Sequence, residues 1–243
     1  MKNIWVIARK EFKSYFISPV AYAVAFLIFL IIGLIFYANI LVASNQQYVP
    51  GVAIILSPMV TIFLFTVPAL TMRSIADERR SGTMELLLTA PVRDWELVVG
   101  KWLGGYLFVL TIILITWIYP FVLNLLIKPG IDQGLMFTGY LGLALVCAAF
   151  VSIGVGASSL FSNQIAAFFT TVGILLLLWM ISYPAQALGS TGGELLRYLD
   201  LSGHFYNSFY RGVIELQDLI YYTSVTALAL FLGSISVQVR RWS

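Results

Sequence analysis

No Asp, Glu, Lys or Arg occurs from Ser14 to Met72, from Trp102 to Ile127, from Gln133 to Gly193 or from Leu219 to Val239. Stretches of that length cannot cover the surface of a water-soluble domain. A spanning helix needs roughly 20 apolar residues, so the second and fourth stretches each supply one pass. The first and third are long enough for two. Ser44-Asn45-Gln46-Gln47 with Pro50-Gly51 divides the first, and Ser158-Ser159 with Ser162-Asn163-Gln164 divides the third. Only 10% of the 243 residues are charged, against about 25% in ordinary soluble domains.

The chain therefore reads as an all-α integral membrane protein, one transmembrane domain over 1–243 with six spans. They fall near 19–43, 53–72, 101–127, 135–160, 165–187 and 219–239. Uninterrupted apolar runs such as 172-VGILLLLWMI-181 do not suit a transmembrane β-barrel, which alternates apolar and polar residues. Lys and Arg concentrate on one side of the membrane. Eleven lie on the N-terminal segment, the 73–101 loop and the C-terminal end, while Lys128, Arg197 and Arg211 lie opposite. The excess predicts cytoplasmic termini. The net charge of +3 is then a topology signal, not an attraction for nucleic acid. Cys147 stands alone within the fourth span, which excludes an internal disulfide. The long charged start and full-length first apolar run do not fit a cleavable signal peptide.

Residues 3–16, NIWVIARKEFKSYF, precede the first span. At about 100° per residue, Ile4, Trp5, Ala8, Phe12, Tyr15 and Phe16 share one arc, and Arg9, Lys10 and Lys13 lie outside it. Such a helix suits the cytoplasmic membrane interface, with Pro19 bending the chain into the first span. Trp5, Arg9, Phe12 and Lys13 are its candidate functional side chains. Pro58 and Pro68 in the second span serve equally well as gate or as plain kink. Ala148, Ser152 and Gly156, and likewise Gly100 and Gly104, recur at four-residue spacing and predict close helix packing. Gly154-Val155-Gly156 is no nucleotide loop, because it sits inside a span with no preceding strand. Between the fifth and sixth spans, 188–218 is too long for a simple connection and carries Leu195, Leu196, Leu199, Leu201, Phe205 and Phe209. It reads as short external helices that dip into, or lie on, the outer membrane half.

Enzymatic chemistry is poorly represented. His204, near Ser202 and Asp200, is the lone histidine, and a hydrolase needs a positioned triad with an oxyanion site. One histidine with one buried-span cysteine makes a poor zinc site. The spans carry no ionisable residues away from their ends, so the usual machinery of an ion-coupled carrier is missing. No GxxxxGK[ST] phosphate loop occurs. Uphill transport by this chain requires energy from another one.

The segment 76-ADERRSGTMELLLTAPV-92 interrupts the apolar sequence. Asp77, Glu78, Arg79 and Arg80 finish the second helix, Ser81-Gly82 breaks it, and Thr83 caps a short helix over 83–91. Glu85 sits in its first turn, where the helix dipole favours an anion. Met84, Leu86, Leu87 and Leu88 crowd about two turns before Pro91 ends them, and Asp94 caps the next helix. Two turns are not stable alone in water. The membrane interface, the body of the protein and a cytosolic partner are each surfaces that could bury them.

The six spans, the basic amphipathic start and the loop DERRSGTMELLLTAPV together resemble permeases of type-2 ABC exporters. The likeness is closest to the gliding-motility and copper-site-maturation branch. The run 203-GHFYNSFYRGVIELQDLIYY-222 resembles that branch's external segment and last helix. The resemblance implies that 83–91 is a coupling helix seated on a separate ATPase subunit, with Asp77, Glu78, Arg79 and Arg80 as polar contacts. It implies that 3–16 touches the same subunit, and that part of 188–218 is re-entrant. Two permease chains, identical or homologous, pair with two ATPase chains that hold ATP and Mg; this chain binds no cofactor itself. A prokaryotic cytoplasmic membrane follows, with an accessory or periplasmic partner also compatible. The alternatives are a stand-alone channel or secondary carrier and an intramembrane hydrolase.

Overall fold

The computed structural model describes residues 2–46, 49–83, 92–185 and 190–241. Among them every regular element is helical. In chain order these are α1 (Lys2–Tyr15), α2 (Pro19–Gln46), α3 (Ala53–Thr71), α4 (Ala76–Arg80), α5 (Asp94–Ile115), α6 (Ile118–Leu126), α7 (Gln133–Leu160) and α8 (Gln164–Met180). There follow α9 (Ser182–Ala185), α10 (Ser190–Leu199), α11 (Leu201–Tyr206), a 3₁₀ turn (Phe209–Arg211) and α12 (Leu216–Arg241). Six helical passes are long and apolar enough to cross a membrane, the third being α5 and α6 together.

α7 is the axis of the bundle, with 78% of its most apolar window buried, against 17% for α2 and for α8. Small residues make this possible. A Cβ on Gly233 of α12 would stand 3.2 Å from the Cα of Gly156, and one on Gly156 would stand 3.0 Å from the Ala229 carbonyl oxygen. The Gly156 spacing thus supports close packing of α7 against α12, as small residues do in membranes.

Gly100 and Gly104 do the same with an unexpected partner. A Cβ on Gly100 would fall 2.8 Å from the Ile7 side chain, and one on Gly104 would fall 2.5 Å from the Glu11 Cβ. Asn3 Nδ2 donates to Glu96 Oε2 at 3.1 Å, and the rings of Tyr15 and Phe108 stack at 4.9 Å. Each pair lies four residues beyond the last on both helices, so α1 runs parallel to the first half of α5, in register along its length. A helix is present over this segment, but Ala8, Phe12 and Tyr15 of its apolar arc pack on protein, as does Ile7, while Trp5 and Phe16 stay 57% and 41% exposed. Gly104→Leu is expected to pry α1 from α5 and cost roughly 1–3 kcal/mol as overpacking, read as a lower melting temperature with faster proteolysis ahead of Pro19. Gly173, which faces open space, is the control.

Several boundaries differ from the sequence reading. The third pass starts at Asp94 rather than 101 and breaks at Thr116-Trp117, because Pro120 has no N–H to give to the Thr116 carbonyl. The Thr116 oxygen accepts instead from the Tyr119 N–H at 3.1 Å and from the Tyr140 hydroxyl at 3.2 Å. Ser158 and Ser159 are not a turn but the buried last turns of α7; the chain reverses at 161–163, where Asn163 Oδ1 accepts from the Ile165 N–H. The fifth pass ends its continuous helix at Met180, and the last helix begins at Leu216 rather than 219. Pro58 and Pro68 lie inside one continuous helix.

The segment after α9 is helical, as expected. Leu201, Phe205 and Phe209 are fully buried, and a Cβ on Gly142 of α7 would collide with the Phe209 ring at 2.5 Å. This cap is wedged into the bundle between α7 and α12. Tyr221 and Tyr222 of α12 pin it by donating to the carbonyls of Leu199 and Leu201, each at 2.8 Å.

Candidate functional site

The charged block and the basic start converge at one end of the bundle. α3 stops at Thr71, and a turn over 72–75 separates it from α4. The block is therefore a short helix of its own, set off by that turn at the end of the second apolar pass, which runs Ala53–Arg80. The break is stabilised from the side. The Ser158 hydroxyl oxygen accepts from the backbone N–H groups of Ile75 and Ala76 at 2.9 and 3.0 Å, and the hydroxyl reaches the Met72 carbonyl at 3.3 Å. One buried serine thus satisfies backbone groups that the helix break leaves without partners. At its other end, Ser81 donates to the Asp77 carbonyl at 2.8 Å, and Gly82 takes a left-handed φ of 71°, the usual helix terminator. The expected break at Ser81-Gly82 is present.

Lys101 is the centre of the site. It lies two turns into α5, 2% exposed, and not on a loop as its place in the basic count supposed. Its Nζ donates to Glu11 Oε1 at 2.8 Å, to the Ser74 carbonyl at 2.7 Å and to Glu78 Oε1 at 2.8 Å. One ammonium spends its three donors on three elements: α1, the turn after α3, and α4. The two glutamates are 16% and 17% exposed. A cleft of about 280 Å³ opens in front of this cluster between α1 and α4, with Arg73, Asp77 and Ser14 on its walls.

The four charges of the block have divided. Asp77 accepts from the side-chain amide of Gln164, at the start of α8, and Glu78 binds Lys101. Both bond to other helices of the same chain. Arg79 is half-buried and Arg80 is exposed. Thr83 is exposed, and its hydroxyl meets Ser81 Oγ at 2.8 Å and the Glu78 carbonyl at 3.4 Å, which folds it back on the end of α4. Met84, Glu85, Leu86, Leu87 and Leu88 lie outside the described residues, as does the rest of the short helix expected up to Pro91. Past them, Asp94 is the first residue of α5 and not its cap; the Arg93 N–H donates to Glu96 Oε2 at 3.1 Å instead. That carboxylate also holds Asn3, so one glutamate fastens the start of α1 to the start of α5.

Trp5, Arg9, Phe12 and Lys13 lie together on the side of α1 away from the cluster, along a separate groove. Glu11, Ser74, Lys101, Ser158 and Gln164 are the residues that sequence reasoning passed over. Glu11 had a signal: at about 100° per residue it falls beside Ile4 at the edge of the apolar arc, an acid next to the packed face of a basic helix.

At the opposite end, His204 is engaged on both nitrogens, with Asp218 Oδ1 2.5 Å from Nδ1 and the Tyr198 carbonyl 2.8 Å from Nε2. Its ring stacks on Tyr221 at 3.9 Å. Ser202 donates instead to Asp200 Oδ1 at 2.7 Å. The histidine is a local hydrogen-bonding residue that ties α11 to α12, and among the described residues its ring pairs with no serine. Among the described residues no group of three or more His, Cys, Asp or Glu side chains is arranged to hold a metal.

The chain matches no curated protein. Residues 5–238 match the family model described as ABC-2 family transporter protein. That span takes in α1, the hub at Lys101 and all six apolar passes. With this coverage and this architecture, the chain belongs to the ABC-2 transporter family, as a multi-pass membrane permease subunit of an ABC transporter.

Proposed function

We propose that this chain is the permease half of an ATP-driven type-2 exporter, working with two copies of a separate ATPase subunit and a second permease chain, identical or homologous. The basic end faces the cytoplasm of a prokaryotic cell, and the 83–91 helix is the foot that seats on the ATPase. ATP and Mg belong to that partner. Closure of the ATPase dimer pushes on the foot and on α1, and the spans tilt to open a path between the two permeases. The finer likeness to gliding-motility and copper-site-maturation permeases makes mechanical work on a membrane or periplasmic partner compatible with the same cycle.

The observation that carries the reading is the three-way contact at Lys101. A push delivered to a loop is lost if the loop bends at its root. Here the root is α4, fixed to α5 through Glu78, to α7 through Ser158 and to α8 through Asp77. α1 is fixed to the same lysine through Glu11. Displacement of either element is transmitted to three spans at once, because packed interiors pass on strain rather than absorb it.

The test is reconstitution in proteoliposomes with ABC ATPase subunits from the same organism. Hydrolysis by the ATPase should rise when the permease is present. ATPase-independent solute flux through the chain alone would support the channel alternative instead.

A further inference from the structure

α1 presents a second face that the Lys101 cluster leaves unused. Between it and α5 lies a groove of about 630 Å³. Its floor on α5 is Leu107, Leu110 and Leu114, at intervals of three and four along one stripe, with Thr111 among them. Its wall on α1 is Trp5 and Phe12, and at its mouth stand Arg9 and Lys13, one turn apart. Both cations are exposed, and among the described residues neither has a carboxylate partner, since Glu11 is bound to Lys101.

The register of the two helices fixes the depth of each part. Glu11 lies against Gly104 and Tyr15 against Phe108, so Lys13 is level with Tyr106, one residue before Leu107. Leu114 lies about 10 Å further along α5 at 1.5 Å per residue, toward the middle of the bundle. Paired cations at the mouth of an apolar channel match a molecule with an anionic head and a hydrocarbon tail. Neither an acidic protein surface nor a free anion would cover the leucine floor. We infer that this groove is a binding site for an anionic phospholipid of the leaflet at the basic end, its phosphate held between Arg9 and Lys13 and one acyl chain lying along Leu107, Leu110 and Leu114.

The inference does not depend on the proposed ATPase contact. A lipid lodged there would brace α1 against α5 from the side opposite Glu11. The amphipathic helix would then require a particular headgroup charge, beyond an affinity for the interface in general.

Native mass spectrometry of the full-length chain, purified in mild detergent with phosphatidylglycerol or phosphatidylcholine added, tests this. The intact protein should retain one phosphatidylglycerol in preference to phosphatidylcholine. Arg9→Gln/Lys13→Gln should weaken that retention roughly tenfold or more, as removing two cations from a lipid surface implies. Lys2→Gln/Lys10→Gln removes the same charge from exposed positions outside the groove and should leave retention unchanged. Thr111→Trp, which fills the floor and keeps the cations, should also lose the lipid. Equal loss in both double variants would overturn the site in favour of general charge attraction. Displacement of the lipid by inorganic phosphate alone would overturn the acyl-chain half. Loss of ATPase copurification with unchanged lipid retention in Arg9→Gln/Lys13→Gln would assign the cations to a protein interface and refute the proposal.

Discussion

Replacing Lys101 with methionine should be the most damaging single substitution at the basic end of the protein. The variant leaves Glu11 and Glu78 facing one another, mostly buried, with the ammonium that joined them removed. Breaking a buried ion pair by deleting one partner costs about 3–5 kcal/mol. For a chain of this size that corresponds to a fall in melting temperature of roughly 10 °C. The neutral triple variant Glu11→Gln/Glu78→Gln/Lys101→Met should recover most of the loss, since apolar or neutral replacement of a whole buried ionic cluster is often tolerated. Lys128→Met, at an exposed position on the opposite end, should stay within about 0.5 kcal/mol of the parent. Thermal unfolding in detergent followed by tryptophan fluorescence reads all three. A Lys101→Met protein as stable as the parent would mean that the three-way contact bears no strain.

The second large effect is expected where the leucines cluster. Leu86→Asp/Leu87→Asp/Leu88→Asp should abolish capture of the ATPase while leaving the membrane bundle folded. Each leucine buried at an interface is worth roughly 1.5–3 kcal/mol. Loss of three therefore weakens association by about a thousandfold or more. Melting temperature should barely change, because the substitutions sit beyond Thr83, on the loop side of the Ser81-Gly82 break. The pairing of these outcomes separates the foot from its root: Lys101→Met harms stability first, and the leucine variant harms partnership first.

The passes were legible in the sequence because the bilayer imposes one coarse rule, length without charge, that needs no knowledge of neighbours. All six appear where the charge-free stretches put them. Their ends were less legible, for reasons visible in particular residues. Ser158 and Ser159 read as a turn by composition, yet in the fold a buried hydroxyl caps another helix's break, and that role depends on which helix passes by. Lys101 read as a loop cation because sequence alone does not show that Glu11 and Glu78, ninety and twenty-three positions away in the chain, come to meet it. The glycines at 100 and 104 announced a close approach but not its partner; α1 rather than a span fills the notch. Within the site, the charge of the 77–80 block was legible and its direction was not. Two of the four side chains serve the protein's own framework, because α5 and α8 arrive with Lys101 and Gln164 at that point.

Entry of force into this bundle through the 83–91 foot is the step on which the proposed cycle depends. Its most direct test is site-specific photocrosslinking from position 87 in native membranes, with the crosslinked peptide identified by mass spectrometry. The account predicts a peptide from an ABC ATPase subunit, captured with and without ATP. Crosslinks confined to lipid or to this chain itself would contradict it.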